Sequence, residues 1–215
     1  QDLTINNINI TGNANLDALD QTVVGNGDVN GNLVLTGAGV ALDSGNIGGD
    51  LTMNASAGDI DGNGIIDVSG AIDLDATGNI GFGSLAANGG DFTADAGGDI
   101  EFADAFAAGD ILFNAINILG GNIVSDQDIV ISVEAIRLGN ATTAGLIDLT
   151  SSVGDIVAAT LDAGNTINVS AAGAAVISNV ISVNETILKG SSVTLGGADT
   201  GDNGDTRFTV GLSIR

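Results

Sequence analysis

Apolar residues return along this chain about every 20 residues, in three separate series. The first runs through Leu33, Leu51, Ile72, Phe92, Ile111, Ile129, Ile147, Ile167 and Ile187. A second follows Ile60, Ile80, Ile100, Ile118, Ile136, Ile156 and Val176. The third, looser series comprises Ile65, Leu85, Phe106, Ile123, Ala141, Leu161 and Ile181. Around the first series, the segments GDLTMNA (Gly49–Ala55), GAIDLDA (Gly70–Ala76), GDFTADA (Gly90–Ala96) and GDILFNA (Gly109–Ala115) align without gaps. Within each, apolar and polar residues alternate: Leu51, Met53 and Ala55 against Asp50, Thr52 and Asn54. That period belongs to a strand with one buried face, and no helical stripe competes with it. Gly, Asn and Asp punctuate the segments and are expected to supply the turn geometry.

Short strands in three series on one period predict an all-β, three-sided parallel β-helix of about ten coils of roughly 20 residues. Successive coils would lie one strand spacing apart, about 4.8 Å. The whole chain, 1–215, reads as one solenoid domain. Residues 1–30 form an N-terminal strand and cap region, 31–195 the regular coils, and 196–215 a C-terminal loop and strand. Composition agrees: 44% of the residues are hydrophobic but only 3% aromatic, with no Trp or Tyr. Thin layers of Ile, Val, Leu and Ala suit such side chains better than a bulky globular interior.

The phrases AGGDIEFADAFAAGDILFNA (Ala96–Ala115) and TGNIGFGSLAANGGDFTADA (Thr77–Ala96) resemble the repeats of filamentous-haemagglutinin-type bacterial adhesins. The resemblance covers roughly Gly31 to Leu195, in composition and spacing. It implies a right-handed parallel β-helix in a secreted surface fibre. The secretion domain of that family carries an Asn-Pro motif, and this chain contains no Pro.

Charge narrows the function classes. The net charge is −23, from 27 acidic and four basic residues. Such a surface repels phosphate backbones and anionic lipid, which argues against nucleic acid and against membrane docking. No apolar run approaches the ~20 residues of a spanning helix, so membrane insertion is not expected. With no Cys and no His, disulfides, thiolate chemistry and the commonest general base are absent. No Walker loop, dinucleotide fingerprint or nucleophile elbow occurs. The chain is therefore not expected to be an enzyme. A carbohydrate-active β-helix is the third reading, because Asp pairs such as Asp73 and Asp75 abound.

One stretch mimics a calcium loop. In GDIDGNGIIDVSG (Gly58–Gly70), oxygen ligands at Asp59, Asp61, Asn63 and Asp67 surround Gly64. An EF-hand loop also needs a bidentate Glu at its twelfth position, which here is Gly70. Ile60 and Ile65 fall in phase with Ile80 and Leu85, so the stretch reads first as a solenoid corner and second as a calcium site. No cofactor is required by anything else in the chain. Loosely held Ca2+ is expected to relieve repulsion between Asp50, Asp91, Asp110 and Asp128, which sit at equivalent corners.

The ends suggest assembly. Leu3, Ile5, Ile8 and Ile10 alternate at the amino end, and Phe208, Val210, Leu212 and Ile214 at the carboxyl end. Neither carries a Pro or an amphipathic helix to block a strand edge. Three of the basic residues (Lys189, Arg207, Arg215) lie near the carboxyl end, while the amino half is purely acidic. The first expectation is a subunit of an extracellular filament, secreted after leader removal as the initial Gln1 suggests, and joined head to tail with copies of itself. The second is an adhesin segment of a larger surface protein, with a cell-surface or glycan receptor.

Overall fold

The computed structural model describes residues 1–201 and 205–210. Its strands are β1 (Leu3–Ile10), β2 (Ala14–Asp17), β3 (Gln21–Val29), β4 (Leu33–Gly37), β5 (Gly39–Ile47), β6 (Leu51–Ala55), β7 (Ile60–Val68) and β8 (Ile72–Ala76). The series continues with β9 (Ile80–Ala87), β10 (Phe92–Ala96), β11 (Ile100–Ala107), β12 (Ile111–Asn114), β13 (Asn117–Ser125), β14 (Ile129–Val133) and β15 (Ala135–Thr143). It ends with β16 (Ile147–Ser151), β17 (Ile156–Ala163), β18 (Ile167–Ala171), β19 (Ala174–Ser182), β20 (Thr186–Gly190), β21 (Ser192–Thr200) and β22 (Thr206–Val210). Odd-numbered strands make one 11-stranded sheet and even-numbered strands another. Every neighbouring pair is parallel, as in β1 with β3 and β2 with β4. The chain is a parallel β-solenoid of about 11 turns of about 19 residues.

Stacking of like on like builds the core. Leu51, Ile72, Phe92, Ile111, Ile129, Ile147 and Ile167 are consecutive partners along one sheet. Val40, Ile60, Ile80, Ile100, Ile118, Ile136 and Ile156 form the matching column of the other. All are buried. Each such side chain removed from water contributes about 1.5–3 kcal/mol, and β-branched residues suit the pleated surface. Four of the phenylalanines gather in the middle coils. Phe82 stacks on Phe102 at 5.4 Å, and Phe113 meets Phe92 edge-on at 5.0 Å. Room for these rings comes from glycines in the adjoining coils. Gly62 is the partner of Phe82, and the Phe102 ring lies across Gly120 where a Cβ would stand.

The third side of the solenoid is not a separate strand. Long strands such as β9, β11 and β15 carry two successive outward residues at the middle (Gly83–Ser84, Ala103–Asp104 and Gly139–Asn140) before alternation resumes in the opposite phase, and β7 carries three. A strand that reverses phase this way has turned a corner, and the long strands wrap two sides of the coil. That reversal corrects the third apolar series. Ile66, Ala105 and Val180 point inward, whereas Ile65, Phe106 and Ile181 lie on the outside. Two late rungs are one residue shorter than the series assumes, so Ala175 and Thr186 occupy the buried positions expected of Val176 and Ile187.

Glycine turns no left-handed corners here, since no described residue has a positive φ. Its role is close approach. Inward hydroxyls at the corners are satisfied by main-chain carbonyls. Ser125 Oγ donates to Gly109 O at 2.7 Å and Ser151 Oγ to Glu134 O at 2.6 Å.

Candidate functional site: the corner ladders and the open coil edges

At the two corners where the chain passes between sheets, an Asn or Asp in many coils precedes the first buried residue of a strand. Its Oδ1 accepts the main-chain N–H of the equivalent residue one coil later. Ahead of the short strands, Asn13 accepts from Asn32 N and Asn32 from Asp50 N, both at 3.0 Å. The run resumes as Asp91 accepts from Asp110 N at 2.9 Å, Asp110 from Asp128 N at 3.0 Å, and Asp128 from Leu146 N at 2.8 Å. Ahead of the long strands, Asp59 accepts from Asn79 N at 2.6 Å and Asn79 from Asp99 N at 2.9 Å. Asp99 Oδ1 then accepts the Asn117 side-chain amide at 2.8 Å. All of these bonds run one way, from the amide of a later coil to the side chain of an earlier one.

This geometry explains the recurring Gly-Asx doublet. In several coils the Asx oxygen lies over the glycine of the next, where an added Cβ would collide with it, while Gln127 and Ile116 stand at the same place after Asp110 and Asp99. Asn32 covers Gly49, Asp50 covers Gly70, Asp59 covers Gly78, Asp91 covers Gly109 and Asp128 covers Gly145. Charge is spaced along with shape. Asp59, Asn79, Asp99 and Asn117 alternate acid with amide, and outer rows pair Asp104 with Asn122 and Asp95 with Asn114. Where acids do stack, as at Asp91, Asp110 and Asp128, each adjacent pair repels by about 0.9 kcal/mol in a water-like dielectric at one strand spacing. The hydrogen bond to each carboxylate is worth about 1 kcal/mol and offsets this.

The calcium-like stretch is part of this frame. Asp59 occupies the corner ladder, while Asp61, Asn63 and Asp67 project outward from β7, a continuous strand instead of a loop. An extra residue is accommodated there, as the register shifts between Gly62 and Ile65. The bulge pushes Ile65 out to 66% exposure and keeps Ile66 buried. Among the described residues no three Asp or Glu side chains converge as a metal-holding group.

Among the described residues, β1 and β2 stand last in the two sheets on one side, and β21 and β22 on the other. The inward residues Leu3, Ile5, Ile8 and Ile10 of β1 are only half-buried, and Phe208 of β22 is 53% exposed. Leu212, Ile214 and the side chain of Val210 lie outside the described residues. Arg207 Nε sits 2.8 Å from Glu185 Oε1, tying the last described short strand to the coil before it. The apolar alternation of β1 and of the last described short strand was legible in the sequence. The directional ladder was not, because each member bonds a residue a whole coil away. No protein-family model, curated protein or solved structure gives a significant match to this chain.

Proposed function

We propose that the protein is a structural subunit of an extracellular filament, extended head to tail by stacking the first coil of one copy on the last coil of another. One observation carries this reading: both terminal coils present parallel strand edges over half-buried apolar side chains. An unpaired parallel edge is a template for another strand, and only a strand of the same direction continues the ladder. Opposite ends of one molecule make a heterologous contact, which propagates into an open fibre. A net charge of −23 keeps the flanks of such fibres apart, and screening in saline surroundings makes that charge tolerable.

Negative-stain microscopy over a concentration series tests the reading. Fibres one solenoid wide that lengthen with protein concentration are expected. Single rods at every concentration would refute it and favour the adhesin-segment reading.

A further inference from the structure

We infer that the joint between copies keeps the register of the coils, with Asp205 of one copy seated over Gly12 of the next. This rests on the filament reading and specifies its interface. The observation behind it is a glycine of the corner row that no described residue covers. Gly31, Gly49 and Gly70 precede the next three ladder positions, and each lies beneath an Asx oxygen of the coil before it. Gly12 is the first glycine of that row, and an added Cβ there meets nothing within 4 Å. In its own coil it has no reason to be glycine. At the far end of the row stands Asp205, whose main-chain O accepts from Thr186 N at 3.0 Å, as Asn32 O does from Ala14 N at 2.8 Å. Asp205 is thus the last described ladder position, an Asx with no described coil beyond it. Stacking a second copy puts its Gly12 under Asp205, gives Asp205 the N–H of that copy's Asn13, and lets Thr206 N donate to Asn13 O.

The inward residues agree with this register. Following the partner columns through the joint sets Val193 against Leu3, Leu195 against Ile5, Ala198 against Ile8 and Phe208 against Leu16. Apolar meets apolar in each of these pairs and small Ala198 faces a large Ile, while Thr200 falls against Ile10 and Thr206 against Ala14. Outside, Arg207 falls opposite Asn15 and next to Asp17, an acid its guanidinium reaches. Each copy would then advance the fibre by eleven rungs of about 4.8 Å, an axial repeat of about 53 Å.

Engineered cysteines test the register in a chain that has none of its own. Asp17→Cys with Thr209→Cys brings thiols to facing positions on adjacent strands, within disulfide reach. Asn15→Cys with Thr209→Cys is displaced by two residues, to about 8 Å between Cα atoms, beyond that reach. Oxidised fibres of the first variant should run as covalent ladders on a non-reducing gel, and those of the second should not. Gly12→Ala should leave the unfolding curve of the isolated subunit unchanged. It should raise the concentration at which fibres appear by about tenfold or more. Wild-type fibres combined with an unbridged first variant, a bridged second one, or a Gly12→Ala protein that assembles normally would overturn the register. Failure of the wild-type chain itself to assemble would overturn the filament reading beneath it.

Discussion

Gly98 offers a sharp test of the ladder, because its neighbour is a side chain that can be deleted. A Cβ at Gly98 would collide with Asn79 Oδ1, while the nearest main-chain atom, Gly78 O, lies at 3.1 Å. The same Asn79 oxygen accepts the Asp99 N–H at 2.9 Å. Gly98→Ala must therefore evict the amide and forfeit that bond, at a cost of about 1 kcal/mol, with residual crowding adding a similar amount. Gly98 has no positive φ. With the obstruction gone, alanine should be tolerated or even stabilising by up to about 0.5 kcal/mol, through a less disordered unfolded chain. Gly98→Ala should thus destabilise the wild type by about 1–2 kcal/mol. In an Asn79→Ala background it should be neutral or mildly stabilising, a coupling of at least about 1 kcal/mol. Urea unfolding of the four proteins of the cycle, followed by circular dichroism with equal m-values, measures this. Equal costs of Gly98→Ala in both backgrounds would refute the idea that glycine is there to make room for the Asx of the preceding coil.

Two further expectations concern the strand phase and the acid stack. Ile65→Ser should change stability by less than about 0.5 kcal/mol, whereas Ile66→Ser should cost about 3 kcal/mol or more, read by the same urea titration. The reverse order would restore the phase suggested by the sequence. Asp110→Asn keeps the acceptor for Asp128 N and removes repulsion from both stacked neighbours. It should stabilise by about 1–2 kcal/mol in about 10 mM salt, and the gain should fade towards about 1 M, as thermal melts would show.

The column architecture was readable because Ile, Leu and Val mark the same inward position in coil after coil, as at Ile80, Ile100 and Ile118. The third series departs from the structure where the long strands turn their corner, because two outward residues in succession shift the alternation by one. Phe106 and Ile181 made the wrong phase look plausible, since both are apolar and both face out. Inward Thr186 was invisible for the opposite reason: its hydroxyl is 2.8 Å from Ser182 Oγ, which lets a polar residue fill a buried rung beside apolar Ile187. Asp59, Asp61, Asn63 and Asp67 read first as a solenoid corner and second as a calcium site. Asp59 does hold the corner, accepting a neighbour's amide, and the other three face outward from β7.

The corners that lead from a short strand to the following long one vary in length. Only Ala38 separates β4 from β5, while Ser56–Asp59 separate β6 from β7, and the strands on both sides remain stacked. Extra residues there are paid for mainly in loop entropy, which grows slowly with length. Foreign peptides inserted between Ala55 and Ile60 would project from the flank while the rungs above and below keep their contacts. The molecule is in that respect a rail on which new recognition loops could be mounted at chosen heights, without redesigning what holds it upright.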